Sequence, residues 1–168
     1  MKDYEFALRY HVGSMDLTMD QIDDALFEAG CDDALVSHNG AGLIELDFTR
    51  EAESVTEAVE SAMECVKNAL PNSVLVEAKP DYVGVTDVAE YCKVSRQYIQ
   101  KLLSTHVINL VPLTVVGKSS VYRLAPAIAE IKKSEVPGLT LPPGLEELSA
   151  LTMKINLQND QAHQRAAL

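Results

Sequence analysis

The sequence predicts an α+β protein: a βαββαβ first half, a central run of short helices closed by a β-hairpin, and a C-terminal helix. Three observations carry that expectation. Before residue 80, apolar residues alternate with period two in some short stretches and follow helical spacing in others. Charge is split along the chain: residues 1–80 hold 17 acidic and 5 basic side chains, whereas residues 81–135 hold 5 and 7. Two proline-glycine clusters, at 136–138 and 142–144, then set off the last segment.

Each element of the first half has a local reason. Tyr4, Phe6, Leu8 and Tyr10 alternate across a half-buried strand over residues 4–12. Thr18 is placed to N-cap a helix whose Met19, Ile22, Leu26 and Phe27 follow helical spacing, and Gly30 ends it. Residues 34–37 form a short apolar run. Asn39-Gly40 predicts the hairpin turn, because both residue types tolerate positive φ. Alternation resumes over residues 42–48. A second helix over about 54–70 carries Val55, Ala58, Val59, Ala62, Met63, Val66 and Leu70 on one stripe, with Pro71 beyond its end. Residues 73–78 make the fourth strand. This order is similar to the ferredoxin-like arrangement, two helices covering one face of a four-stranded antiparallel sheet. That fold hosts enzymes, sensors, RNA binders and dimerisation modules, so it names no function.

Composition and patterning exclude several classes. With 47% apolar and 23% charged residues the chain is not a disordered one. No apolar run approaches the roughly 20 residues that span a bilayer. The opening Met1-Lys2-Asp3-Tyr4-Glu5 lacks the apolar stretch of a signal peptide, so a cytoplasmic location without membrane contact is expected. Cys31, Cys65 and Cys92 have neither zinc nor disulfide spacing. Asp16, Asp20, Asp23 and Asp24 lack the Asp-x-Asp-x-Asp-Gly pattern of a cation loop and read as a solvated, dipole-favoured first turn. Residues 38–42 resemble a phosphate loop in composition only, since they join two strands and open no helix. An RNA-binding sheet would need exposed aromatics where Glu45 and Asp47 stand. No nucleophile with a matched base is visible, so an enzyme is not expected, nor a metal or cofactor.

The central segment carries the sharper signal. Pro80-Asp81-Tyr82 reads as a connector. Thr86 is placed to cap a short helix burying Val88 and Ala89; Cys92-Lys93-Val94 makes a tight turn; Ser95 caps a second helix with Ile99, Leu102 and Leu103 inward. Ala89 supplies the small residue where the two helices meet. The outer face of the second helix then holds Arg96, Gln97, Gln100 and Lys101, with Tyr98 at its edge, side chains able to donate to phosphates and base edges. Residues 113–116 and 121–124 are β-prone runs joined by Gly117-Lys118-Ser119-Ser120, and a third helix over about 128–131 follows Ala125-Pro126-Ala127. Arg123 either pairs with Glu90 or Asp87 or reaches DNA. Tyr98 and Tyr122 read as partly core, Cys92 as a small buried hydrophobe, and His11 and His106 as structural or solvent-facing.

The runs 85–91, Val94-Ser95-Arg96, Val116-Gly117-Lys118 and Tyr122-Arg123-Leu124 resemble the excisionase-type winged helix-turn-helix, related to MerR-like DNA-binding domains, over about residues 82–133. The resemblance implies double-stranded DNA as partner. It gives the major-groove role to the helix opening at Ser95, through Arg96, Gln97, Gln100 and Lys101, with Ser95 and Tyr98 as further candidate DNA-binding residues. The wing role falls to Lys118, Ser119 and Ser120, with Arg123 beside them. Two departures stand out: the wing tip holds one lysine where the family commonly has arginines, and residues 104–112 lack a glycine-bearing turn.

The expected organisation is therefore an acidic ferredoxin-like domain over 1–79, a winged helix-turn-helix over 82–134, a Pro/Gly linker over 135–144 and a C-terminal helix over 145–168. Leu145, Leu148, Leu151, Met153 and Ile155 give that helix an apolar stripe, whereas residues from Asn156 onward lack one and are expected to fray. The function expected is a sequence-specific DNA-binding transcriptional regulator, acting as a homodimer, its first domain serving dimerisation or sensing. The alternative is an antitoxin or inhibitor whose acidic first domain binds a basic partner protein, with DNA binding for autoregulation.

Overall fold

The structure, a computed structural model, describes residues 1–13 and 16–167 and is of the α+β class. The chain divides into two units, one formed by Met1–Lys79 together with the chain from Lys154 onward, the other by Pro80–Met153.

In the first unit the elements run β1 (Lys2–His11), α1 (Met19–Glu28), β2 (Ala34–Asn39), β3 (Leu43–Ala52), α2 (Val55–Ala69) and β4 (Val74–Lys79). The four strands form one sheet in the order β2-β3-β1-β4, every pair antiparallel. The period-two pattern explains the register: Phe6 faces Phe48, Leu8 faces Leu46 and Tyr10 faces Ile44, so one face of the sheet is apolar throughout. That face receives Ile22 and Leu26 of α1 and Val55, Ala58, Val59, Ala62 and Val66 of α2. At about 1.5–3 kcal/mol for each fully buried aliphatic or phenyl side chain, this layer is the main source of the unit's stability.

Both helices start where capping residues dictate. Thr18 accepts from Gln21 N while the Gln21 side chain accepts from Thr18 N, a reciprocal capping box, and Ser54 accepts from Glu57 N. The hairpin between β2 and β3 differs from the expectation. Asn39 pairs with Leu43 inside the ladder, and positive φ falls on Ala41 (67°) and Gly42 (75°) instead of on Asn39 and Gly40. Gly42 is required there, since a Cβ would lie 2.5 Å from the Gly13 Cα.

Arg50 is the one buried cation of the first sheet among the described residues. Its fork donates to both oxygens of Asp33 (2.7 and 2.8 Å), to Gly30 O (2.7 Å) and to Ser61 Oγ (3.1 Å), fixing the α1–β2 turn against β3 and α2. On the opposite face of the sheet Arg9 bridges Glu45 and Glu77, and Lys79 also donates to Glu45. Burial opposes ionisation of Glu45, but the hydrogen bonds from Lys79 and Arg9 outweigh it and hold its carboxyl below the usual range. Asp23, expected in a solvated acidic turn, instead accepts from His38 Nε2 at 2.7 Å, tying α1 to β2.

The second unit contains β5 (Tyr82–Val83), α3 (Val85–Cys92), α4 (Arg96–Ser104), β6 (Thr114–Val116), β7 (Ser119–Arg123) and α5 (Leu124–Ser134), its strands ordered β5-β7-β6. Its core gathers Val88, Ala89, Cys92, Ile99, Leu102, Ile108, Tyr122, Leu124, Ile128, Ile131 and Leu145. Residues 135–144 form no helix or strand, yet Val136, Leu139 and Leu141 pack on that core.

The last helix, α6, spans Leu145–Ala167, so the fraying expected from Asn156 does not occur within those bounds. Its buried positions explain why. Alongside Leu145 and Leu148 they are Ser149, Thr152 and Asn156, polar residues that an apolar-stripe search passes over. Thr152 Oγ1 donates to Pro80 O within the second unit. In the first unit the Asn156 amide accepts from Ala78 N and donates to Ala78 O, both at 2.8 Å, and Asn159 Nδ2 donates to Leu75 O. On the edge strand β4, Ala78 N, Ala78 O and Leu75 O are thus satisfied by side-chain amides.

No helix among the described residues is long and apolar enough to cross a membrane.

Candidate nucleic-acid interface

The helix pair α3–α4 is built by short-range bonds. α3 is capped at Gly84, two residues ahead of the expected Thr86, because the Asp87 carboxylate reaches back to accept from Gly84 N at 2.8 Å. Lys93 closes the helix in the left-handed conformation (φ 58°, ψ 41°), and its N–H and that of Val94 return to Glu90 O and Ala89 O. Ser95 then caps α4 as the sequence predicts, its Oγ accepting from Tyr98 N at 3.1 Å.

Ile99 and Leu102 point into the core, nearly inaccessible, and this fixes what faces out. Ser95, Arg96, Gln97, Tyr98, Gln100 and Lys101 are all exposed, Tyr98 at 37%. Arg96, Lys101 and Lys118 form no ion pair among the described residues. Two guanidinium or ammonium groups and two carboxamides therefore project from a helix whose opposite side is anchored.

The turn after α4 supplies what the sequence lacks in glycine. His106 adopts φ 59°, and the N–H groups of Val107 and Ile108 both return to Leu102 O. Ile108, buried behind them, locks the connector.

The hairpin is tighter than expected. Val116 pairs with Ser119, leaving Gly117-Lys118 as a two-residue tip with φ 62° at Gly117, the position where such turns take glycine. Ser119 and Ser120 accordingly lie in β7, the former exposed and the latter half-buried. Lys118 is exposed at the tip. The sequence gives no sign that Leu113, Val115 and Val116 remain exposed, 57% and 67% for the two valines; they do so because β6 is an outer strand of the small sheet.

Arg123 is engaged inside its unit. Its Nη1 donates to Asp81 Oδ2, not to Glu90 or Asp87, and its guanidinium stands 5.1 Å over the Tyr82 ring. Asp81 is fully buried, and its carbonyl also accepts from Leu124 N at 2.7 Å, so one residue ties β5 to β7 and to the start of α5. Burial pushes the Cys92 thiol up. It also raises the Tyr91 hydroxyl, helped by the nearby Asp87 and Glu90. Neither is poised as a nucleophile.

Compared with protein-family models, curated proteins and solved structures, the chain matches none.

Proposed function

We propose that this protein is a sequence-specific DNA-binding regulator whose α4 enters the major groove. The observation that carries the reading is the α4 face itself. Arg96, Gln97, Gln100 and Lys101 are exposed, unpaired with the protein's own carboxylates, and held by a capped helix with Ile99 and Leu102 buried beneath. Arginine and the amides match base-edge donors and acceptors, while lysine serves phosphates as a point charge.

The order α3, turn, α4, β6–β7 hairpin, α5 supports a winged helix-turn-helix of the excisionase or MerR-like type. In it Lys118 and Ser119 at the wing meet backbone phosphates, and Ser95 does so at the mouth of α4. Arg123 stays with Asp81. The order β2-β3-β1-β4, with α1 and α2 on the apolar face, supports a ferredoxin-like first unit serving dimerisation, sensing or partner binding. Two copies on half-sites a helical turn apart give the operator its symmetry.

The test is selection of bound duplexes from a random pool at low salt. Enrichment of one short motif, read as a half-site or an inverted repeat, is the expected result. Repeated rounds without enrichment refute the proposal.

A further inference from the structure

The two edges of the first unit's sheet are finished differently. β4 is capped at Ala78 and Leu75 by the Asn156 and Asn159 amides, whereas β2 has no strand beyond it among the described residues. Thr49 N donates to Asp33 O, which continues the β2–β3 ladder and turns the backbone of residues 35, 37 and 39 toward β3. Val36 and His38 therefore direct N–H and C=O outward. Ala34–Asn39 contains no lysine, proline or bulge, the usual means of blunting an edge.

Apolar groups flank this edge on both sides. Leu35 is 72% exposed on the open face of the sheet. Phe27, 67% exposed, lies one helical turn from Asp23, whose carboxylate holds His38 of β2, so it shares the flank of α1 turned to that strand.

Charge decides the occupant. Residues 10–49 contain no lysine or arginine and nine aspartates and glutamates. Asp20, Asp24 and Glu28 are exposed on α1, Asp32 at the turn after it, and Asp47 directly opposite Leu35 on the open face. A second copy laid along β2 brings the same acidic rim against itself, and like charges across strands oppose pairing. We infer that the β2 edge accepts an extended, lysine- or arginine-bearing segment of a partner protein as a fifth strand. Val36 and His38 supply the backbone pairing, Leu35 and Phe27 cover its apolar side chains, and the rim meets its cations. This inference does not depend on what α4 binds.

The experiment uses the full chain and a peptide of about ten residues alternating lysine and valine, long enough for one strand, with a glutamate–valine peptide as the charge-reversed probe. Amide NMR is expected to show the Val36 and His38 signals shifted and protected from exchange by the first peptide and unmoved by the second. Val36→Pro removes an outward donor at an edge that tolerates proline, and weakens binding by about tenfold or more. Leu35→Lys, at a solvated position, leaves the fold intact and also weakens binding, which keeps the test decisive if the proline variant unfolds. The inference is overturned by no binding of the lysine peptide at low salt, by shifts confined to other surfaces, by equal binding of the acidic peptide, or by undiminished affinity of Leu35→Lys. A parent dimer in sedimentation that Leu35→Lys dissolves also overturns it and gives the edge to a second copy.

Discussion

Replacing Asn156 with alanine removes both partners of Ala78 at once. The two bonds, each 2.8 Å, run from a side chain only 2% exposed to a backbone N–H and C=O on the edge of β4. A buried polar group left unpaired costs about 1–3 kcal/mol, and the relief of no longer burying the amide offsets part of that, so a loss of about 2–4 kcal/mol is expected. Asn156→Asp keeps the shape but sets a carboxylate against Ala78 O, and at neutral pH it should destabilise more than alanine does. Burial and that carbonyl raise the folded-state pKa of the new acid above the unfolded value of about 3.9, so the folded form holds the proton more tightly. Stability of this variant should therefore recover as pH falls toward about 4. The assay is amide exchange at Ala78 and its β4 neighbours, together with urea unfolding followed in the first unit. Exchange and unfolding of Asn156→Ala within about 0.5 kcal/mol of the parent, the range of ordinary surface substitutions, would refute the reasoning.

Ser95→Ala should cost about 1 kcal/mol by removing the α4 cap and should be read as a lowered melting temperature of the second unit. Arg50→Lys cannot reproduce the fork to Asp33 and Gly30 and should destabilise the first unit by about 2–3 kcal/mol, measured by denaturant midpoint. Burial, with the Cys65 thiol beside it, pushes the Cys31 thiol up to about 12, so the folded state holds its proton where the unfolded state has lost it. Stability should accordingly fall as pH rises from about 9 toward 12, and the slope should be shallower in Cys31→Ala; an identical pH profile for parent and variant contradicts this. Lys118→Ala should weaken duplex binding alike on all sequences and reduce the log–log salt slope by about one, seen in affinities measured over a salt series.

Much of the first unit was legible because alternation and capping are local codes. Phe6, Leu8, Tyr10, Ile44, Leu46 and Phe48 announce their strands and shared face, and Thr18, Ser54 and Ser95 mark helix starts that the structure places at those residues. Misplaced details share one cause, a local preference overridden by a neighbour. Thr86 lost the α3 cap to Gly84 because Asp87 reached back, and the hairpin bend moved to Ala41 and Gly42. His106 took the left-handed position that a glycine usually fills. The stripe of α6 stayed hidden since Ser149, Thr152 and Asn156 are polar and bury by bonding to backbone at a distance no periodicity records. At the candidate interface, the outward side of α4 follows from its inward side, whereas the Arg123–Asp81 pair spans 42 positions, and sequence alone leaves Arg123 open between Glu90 or Asp87 and DNA.

The most direct measurement compares a selected duplex with a scrambled one by fluorescence anisotropy at fixed salt, for the parent and for the double variant Arg96→Ala, Gln100→Ala. If α4 reads the bases, each lost bidentate contact removes about 1–3 kcal/mol of discrimination. The variant should then bind both duplexes equally weakly while melting like the parent. A variant that still prefers the selected sequence as strongly as the parent places the reading surface somewhere other than α4.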